Sequence, residues 1–215
     1  MAILYKDRRD AGAVLAKSLK SFVGLDAVLI CIPRGGAVVC AEVSKGLGIS
    51  MDAITPRKIP APSNPELAVG AVVFDGTAWL DEQLMADLGV PEDYISGQKK
   101  LQAAESMRRY SLFRHGAPDP ILGSKTVILV DDGIATGATM LAAAMWVLKK
   151  KPKKVIVAVP VASKHAETRL SALGVDIVCP KTIDDFVAVG EFYMNFDQVP
   201  DEEVLELMDK YAKLN

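Results

Sequence analysis

Apolar positions along the chain follow two rhythms. Ala13, Leu15, Ala16, Leu19 and Phe22 recur at helical spacing across residues 7–22, and Gly24 is placed to stop that helix. Residues 27–32 form a short unbroken apolar run, which predicts a strand buried on both faces. Pro33-Arg34-Gly35-Gly36 ends the run, and helical spacing resumes over 37–47. A second strand is expected at 51–55. Residues 59–65 hold three prolines, a serine and an asparagine, which predicts a loop. Residues 69–74 and 77–80 flank Asp75-Gly76, a dipeptide suited to the left-handed residues of a tight hairpin. Helices are expected over 81–88 and 92–113, the second polar and ending in a basic cluster. Then come a strongly apolar strand at 126–130, a helix at 136–150, a strand at 154–161, a helix at 163–173 and a strand at 175–179. A last helix spans 201–214, with Asp201 as its N-cap.

Strands alternating with helices predict a three-layer, Rossmann-like α/β fold whose mostly parallel sheet is covered on both faces. One domain over 1–215 accounts for the pattern, with a hairpin and helix insertion at about 69–113 and a small C-terminal subdomain at about 181–215. In such a sheet ligands bind at the carboxyl ends of the strands. The loops leaving those ends are where chemistry is expected.

Composition narrows the classes. The chain has 215 residues, half of them apolar and 24% charged, enough for a soluble globular domain with a core. Lys and Arg number 25 against 27 Asp and Glu, a net charge of −2, so nucleic acid meets no global basic field. No apolar run approaches the roughly 20 residues that span a bilayer, and the N-terminus turns charged too early for a signal peptide. Cys31, Cys40 and Cys179 show no paired spacing and read as free, mostly buried thiols in a reducing, cytoplasmic setting. His115 and His165 have no partners at ligand spacing, which argues against a zinc or other protein-held metal.

The strongest local signal is Val127-Ile128-Leu129-Val130-Asp131-Asp132-Gly133-Ile134-Ala135-Thr136-Gly137-Ala138-Thr139-Met140. A buried strand ends in two carboxylates, and a small-residue loop then enters a helix. Residues Ala135, Thr136, Gly137, Ala138 and Thr139 can turn consecutive N–H groups toward an anion at the helix N-terminus, with two hydroxyls added. Carboxylates beside a phosphate cradle make sense if Asp131 and Asp132 accept from sugar hydroxyls. Sugar and phosphate together describe a ribose 5-phosphate group. The bland alternative is a pair of acids that merely caps a helix.

This stretch resembles the phosphoribosyl diphosphate (PRPP) motif of type I phosphoribosyltransferases, at every position: four apolar residues, two acids, then x-x-x-Thr-Gly-x-Thr. The resemblance covers most of the chain, with specific motifs around 31–38, 56–74, 127–140 and 183–196. In overall layout the chain is most similar to the group called predicted phosphoribosyltransferases. The resemblance implies transfer of a 5-phosphoribosyl group from PRPP to a nitrogen acceptor, a nucleobase being the first candidate, with release of pyrophosphate. It also implies Mg²⁺ held mainly by PRPP oxygens and waters, and a homodimer. Asp131 and Asp132 would hold the ribose, and residues 135–139 the 5′-phosphate. Arg34, Gly35, Gly36, Arg57 and Lys58 would face the pyrophosphate, with Arg34 and Lys58 joining the two acids in catalysis. In the family the Arg34 loop often carries a non-proline cis peptide, and 59–66 falls where a mobile catalytic loop lies, with Glu66 in it. Phe186, ahead of Val189-Gly190, matches the aromatic that stacks on the base in the hood of purine enzymes. Two positions depart from those enzymes: Ala135 stands where 6-oxopurine enzymes have an acid, and Asn195 is the nearest polar residue to their hood aspartate.

Arg108, Arg109, Arg114 and His115 either neutralise a polyphosphate or form a solvated helix end. The rival function is a non-enzymatic PRPP or nucleotide-binding regulator. The basic run at Lys149–Lys151, Lys153 and Lys154 gives it slight support, which a solvated helix end explains more simply. A hydrolase, or a transferase with a nucleoside donor, is a third option.

Overall fold

The computed structural model describes residues 3–212. Five parallel strands form the central sheet: β1 (Ala27–Cys31), β2 (Met51–Ala53), β6 (Thr126–Val130), β7 (Lys154–Ala158) and β9 (Asp176–Val178), in the order β2-β1-β6-β7-β9. The period of two sorts their side chains onto two faces. Leu29, Cys31, Ile128, Val130 and Ile156 pack under α1 (Arg8–Ser18), α2 (Gly35–Leu47) and α7 (Asp201–Tyr211). Ile30, Val127, Leu129 and Val157 pack on the opposite side against α5 (Ala138–Lys149), whose Leu141 and Trp146 are fully buried. The fold class is the expected one. Among the described residues no helix is long and apolar enough to cross a membrane.

A second, antiparallel sheet joins β3 (Arg57–Ala61), β4 (Asn64–Val72) and β5 (Ala78–Leu80) in sequence order, followed by α3 (Glu82–Asp87) and α4 (Glu92–Phe113). The expected loop at 59–65 is therefore a β3–β4 hairpin. Proline counts misled there because β3 is an edge strand, and the register shifts on both sides of Pro60, so its missing N–H breaks no ladder bond. The Asp75-Gly76 hairpin is present, with Gly76 at φ 84°.

The strand expected at 154–161 splits after Ala158, and β8 (Val161–Ser163) turns away to pair with β10 (Lys181–Ile183). With a 3₁₀ turn at Val189–Phe192 and the N-terminal Tyr5, these strands build the small subdomain around buried Phe192 and Tyr193. The remaining helix, α6 (Lys164–Ser171), begins where the Ser163 hydroxyl accepts from the Ala166 N–H. The last helix belongs elsewhere: α7 lies on α2 and β2, with the main layers, because Val204, Leu207 and Met208 are its apolar stripe. Its N-cap is Pro200, not Asp201, whose side chain points to Arg34. The expected end of that helix at 214 lies outside the described residues.

Candidate active site

Neighbouring strands bring the Pro33–Gly36 loop and the loop that follows Val130 together. β1 and β6 run in register, Cys31 beside Val130, and connect in opposite directions across the sheet, the arrangement that opens a crevice at the strand ends. The Ile32 N–H donates to the Val130 carbonyl at 2.9 Å, joining the loops at their base. The peptide between Pro33 and Arg34 is cis. α2 then begins at Gly35, directly against the acids. A Cβ on Gly36 would lie 2.8 Å from Asp131 Oδ1 and 2.9 Å from Asp131 Cα, so only glycine allows this approach.

Asp131 accepts the Asp132 N–H at 2.8 Å through Oδ1. Burial pushes both carboxyls up, and the neighbouring Asp132 charge raises Asp131 further. Asp132 has a cationic partner: Arg8 Nε donates to Asp132 Oδ2 at 2.7 Å. Arg8 Nη1 also donates to the Asp197 carbonyl at 2.8 Å, and its guanidinium lies 3.7 Å from the centre of the Phe196 ring. Tyr193 Oη donates to the Asp132 carbonyl at 2.5 Å. Arg8, Tyr193 and Phe196 escaped the reading of the sequence. Arg8 registered there only as part of a helical pattern, and its partner is distant in the chain.

The loop of residues 135–137 leads into α5, which starts at Ala138 because Gly137 takes φ 87°. The first N–H groups of α5 have no partner inside the helix. The loop behind them is tied down: Ser163 Oγ donates to the Ala135 carbonyl at 2.5 Å, and the Ile134 N–H to Val161 O at 3.0 Å. Thr136 is exposed. Thr139 lines a cavity of about 380 Å³ with Arg57, Lys58, Gln102, Pro60 and Pro65. The β3 cations thus share a cavity with Thr139.

The cations differ in commitment. Arg34 Nη1 is 3.5 Å from Asp201 Oδ1, a loose pair with both side chains over a third exposed. Arg57 Nε donates to the Gln102 amide oxygen at 3.4 Å; burial, then nearby Arg109, lowers its pKa. Lys58 is exposed. Glu66 is an exposed residue of β4.

The basic cluster divides. Arg108 and Arg109 both bind Glu105 at 2.7 Å, and their hydrogen bonds hold its carboxyl down at about 2. Arg114 is buried, paired with both oxygens of Asp52 and donating to the Ala117 and Pro118 carbonyls, so it closes a loop onto β2. His115 meets Asp209 at 3.0 Å on the surface. Arg114 and His115 are fold contacts.

The small subdomain leans on the motif. A Cβ on Gly133 would lie 2.6 Å from Val189 Cγ1. Phe186 is half-buried, its ring 4.9 Å from that of Phe192, between exposed Asp185 and Val187. Cys31 and Cys40 are buried free thiols, and Cys179 is a half-buried one.

Comparison with known proteins agrees with this geometry. Residues 8–197 match the phosphoribosyl transferase domain. A provisionally named phosphoribosyl transferase of Mycobacterium tuberculosis, found in strains CDC 1551 / Oshkosh and H37Rv, is 36% identical over 207 residues. That match covers 96% of this chain and 47% of the relative, so the chain spans about half the length of the curated relatives it matches. The crystal structure of TT1426 from Thermus thermophilus is 38% identical and superposes with a TM-score of 0.80, covering 97% of this chain and 99% of that one. A Neisseria gonorrhoeae protein crystallised with bound ppGpp shares the fold, with 20% identity, a TM-score of 0.52, and coverage of 97% and 96%.

Proposed function

The chain belongs to the phosphoribosyl transferase domain family, and we propose that it moves the 5-phosphoribosyl group of PRPP to a nitrogen acceptor, releasing pyrophosphate. One observation carries this reading. Two anion loops, one glycine-rich with Arg34 and one acidic with a helix N-terminus, meet at the carboxyl ends of adjacent strands β1 and β6. Diphosphate and 5′-phosphate then have separate cradles, and the ribose hydroxyls fall to Asp131 and Asp132 between them.

The chemistry asks little covalent work of the protein. As the C1–oxygen bond to the diphosphate lengthens, positive charge grows on the ribose and negative charge on the leaving group. Arg34, the amides of Gly35 and Gly36, and Arg57 with Lys58 stabilise the leaving charge. The two carboxylates favour charge on the sugar, and the amides of residues 136–139 hold the 5′-phosphate in place. Among the described residues no three His, Cys, Asp or Glu side chains converge on a point. A Mg²⁺ ion brought by PRPP would be held mainly by ligand oxygens and waters, as that hard cation usually is. When bound, Mg²⁺ would neutralise part of the leaving charge.

The half-buried Phe186 offers an aromatic face to a planar acceptor, which favours a nucleobase. The test is PRPP-dependent pyrophosphate release across a panel of nucleobases and amines, with PRPP binding measured by calorimetry. Release with one acceptor class supports the transferase. Tight PRPP binding with no release for any acceptor would favour the regulator, and no PRPP binding would overturn both.

A further inference from the structure

Arg8 is the first residue of α1, where the partial positive charge of the helix end disfavours a cation. Its placement is explained by what it touches. The side chain is 11% exposed, and that of Asp132 is 13% exposed, so the pair is largely shielded from water. Three contacts fix the guanidinium: the Asp132 carboxylate, the Asp197 carbonyl and the Phe196 ring. Gly35 leaves the space it occupies, since a Cβ there would lie 2.7 Å from Arg8 Nε. Arg8 thus brings one positive charge against two adjacent acids. Oδ2 of Asp132 is taken by Arg8 and Oδ1 of Asp131 by the Asp132 N–H. The two acid side chains also hydrogen-bond each other.

We propose that Arg8 is a positioning residue that holds Asp132 ionised and aimed, so that the Asp131–Asp132 pair can accept from the ribose hydroxyls. The inference rests on the ribose-binding reading of the pair. Its electrostatics run in the required direction: burial raises both carboxyls, Arg8 lowers both, and the hydrogen bond between the two acids lowers Asp132 while raising Asp131. The titratable and charged groups facing the pair are Arg8 on α1, Cys31 at the end of β1, and Tyr193 with its neighbour Tyr5 in the small subdomain. Arg34, on the adjoining loop, is turned to Asp201. Among the described residues, Arg8 is the permanent cation that pairs with these acids.

The experiment compares the wild type with Arg8→Gln and Arg8→Lys. Carboxyl carbons of Asp131 and Asp132 are titrated by NMR in the ligand-free proteins. Ribose 5-phosphate and inorganic diphosphate are each titrated calorimetrically from pH 6 to 9. In Arg8→Gln the carboxyl titration should move up by about one pH unit, and ribose 5-phosphate affinity at pH 7 should fall about tenfold. That affinity should recover toward pH 9, while diphosphate affinity changes little. Arg8→Lys should restore most of the ribose 5-phosphate affinity. An unchanged carboxyl titration in Arg8→Gln, or an equal loss for both ligands with no pH dependence, overturns the proposal. Failure of the wild type to bind ribose 5-phosphate instead overturns the ribose-binding reading, and the titration still decides whether Arg8 governs the acids.

Discussion

Gly35 and Asp132 touch with no room for a methyl group between them: a Cβ on Gly35 would overlap the Oδ2 atom of Asp132. Gly36 stands to Asp131 in nearly the same way. The two glycines of the Pro33–Gly36 loop are therefore seats for the two acids that end β6. A ligand held by both loops meets one preassembled surface, which limits the ordering needed on binding.

Alanine at these seats should separate stability from binding. In Gly36→Ala the new Cβ meets backbone, Asp131 Cα at 2.9 Å and the Val130 carbonyl at 3.1 Å, neither of which can swing aside. Overpacking of this kind costs about 1–3 kcal/mol, read as a lower urea midpoint. In Gly35→Ala the obstruction is the Asp132 and Arg8 side chains, which can rotate. Its stability loss should be smaller, and its loss of ribose 5-phosphate affinity larger. A Gly36→Ala protein as stable as wild type would contradict the packing described.

The two acids should respond oppositely to amidation. Both carboxyls are raised above their unfolded values by burial. A raised carboxyl contributes its stability below the unfolded pKa, and that contribution is lost as pH rises through the folded pKa. The ligand-free protein thus carries a cost at neutral pH that is absent in acid. Asp131→Asn removes it and should stabilise by about 1 kcal/mol at pH 8, with no gain near pH 4. Asp132→Asn strands the Arg8 guanidinium and should instead cost about 1.5–3 kcal/mol. Both variants should lose ribose 5-phosphate binding. Denaturant midpoints at the two pH values, with calorimetry, check all four statements.

How much of this was legible before folding depended on distance along the chain. The strand, acid pair and loop of residues 127–140 are contiguous, so their apolar run and small residues announced the β6–α5 turn. The Pro33–Gly36 loop gained meaning only beside that motif. Arg8 had no local signature, because its carboxylate partner is 124 residues away. The β3–β4 hairpin was hidden because prolines mark loops and edge strands alike. Within the basic cluster, local charge could not tell Arg114, buried on Asp52, from Arg109 on the face of α4 near Arg57.

Arg34 should behave as a cation waiting for a better partner. Its contact with Asp201 is 3.5 Å long and partly exposed. Asp201→Asn should then change stability by less than about 1 kcal/mol. It should tighten inorganic diphosphate binding a few-fold, since a competing carboxylate is gone. Arg34→Ala should weaken diphosphate by about 1.5–3 kcal/mol while sparing ribose 5-phosphate. Equal effects on both ligands would remove Arg34 from the leaving-group role.

Phe186 and Phe192 sit with ring centroids 4.9 Å apart, yet they should fail differently on truncation. Phe192 is 2% exposed and belongs to the core of the small subdomain, with Tyr5 and Val161 beside it. Phe192→Ala leaves a cavity and should cost about 3–5 kcal/mol. Phe186 is only half-buried and follows two exposed aspartates, so Phe186→Ala should cost about 1 kcal/mol. The ligand responses carry the functional contrast. On the proposed reading PRPP binds the folded state alone and should raise the melting temperature by mass action, worth about 2.7 kcal/mol at a hundredfold excess over Kd. Phe186→Ala should keep the full PRPP-induced rise, because the cradles of residues 33–36 and 131–139 are untouched. It should lose turnover through a raised KM for the acceptor, with the KM for PRPP unchanged. A melting loss in ligand-free Phe186→Ala as large as that of Phe192→Ala would make Phe186 a packing residue. The acceptor would then have to find its aromatic face elsewhere.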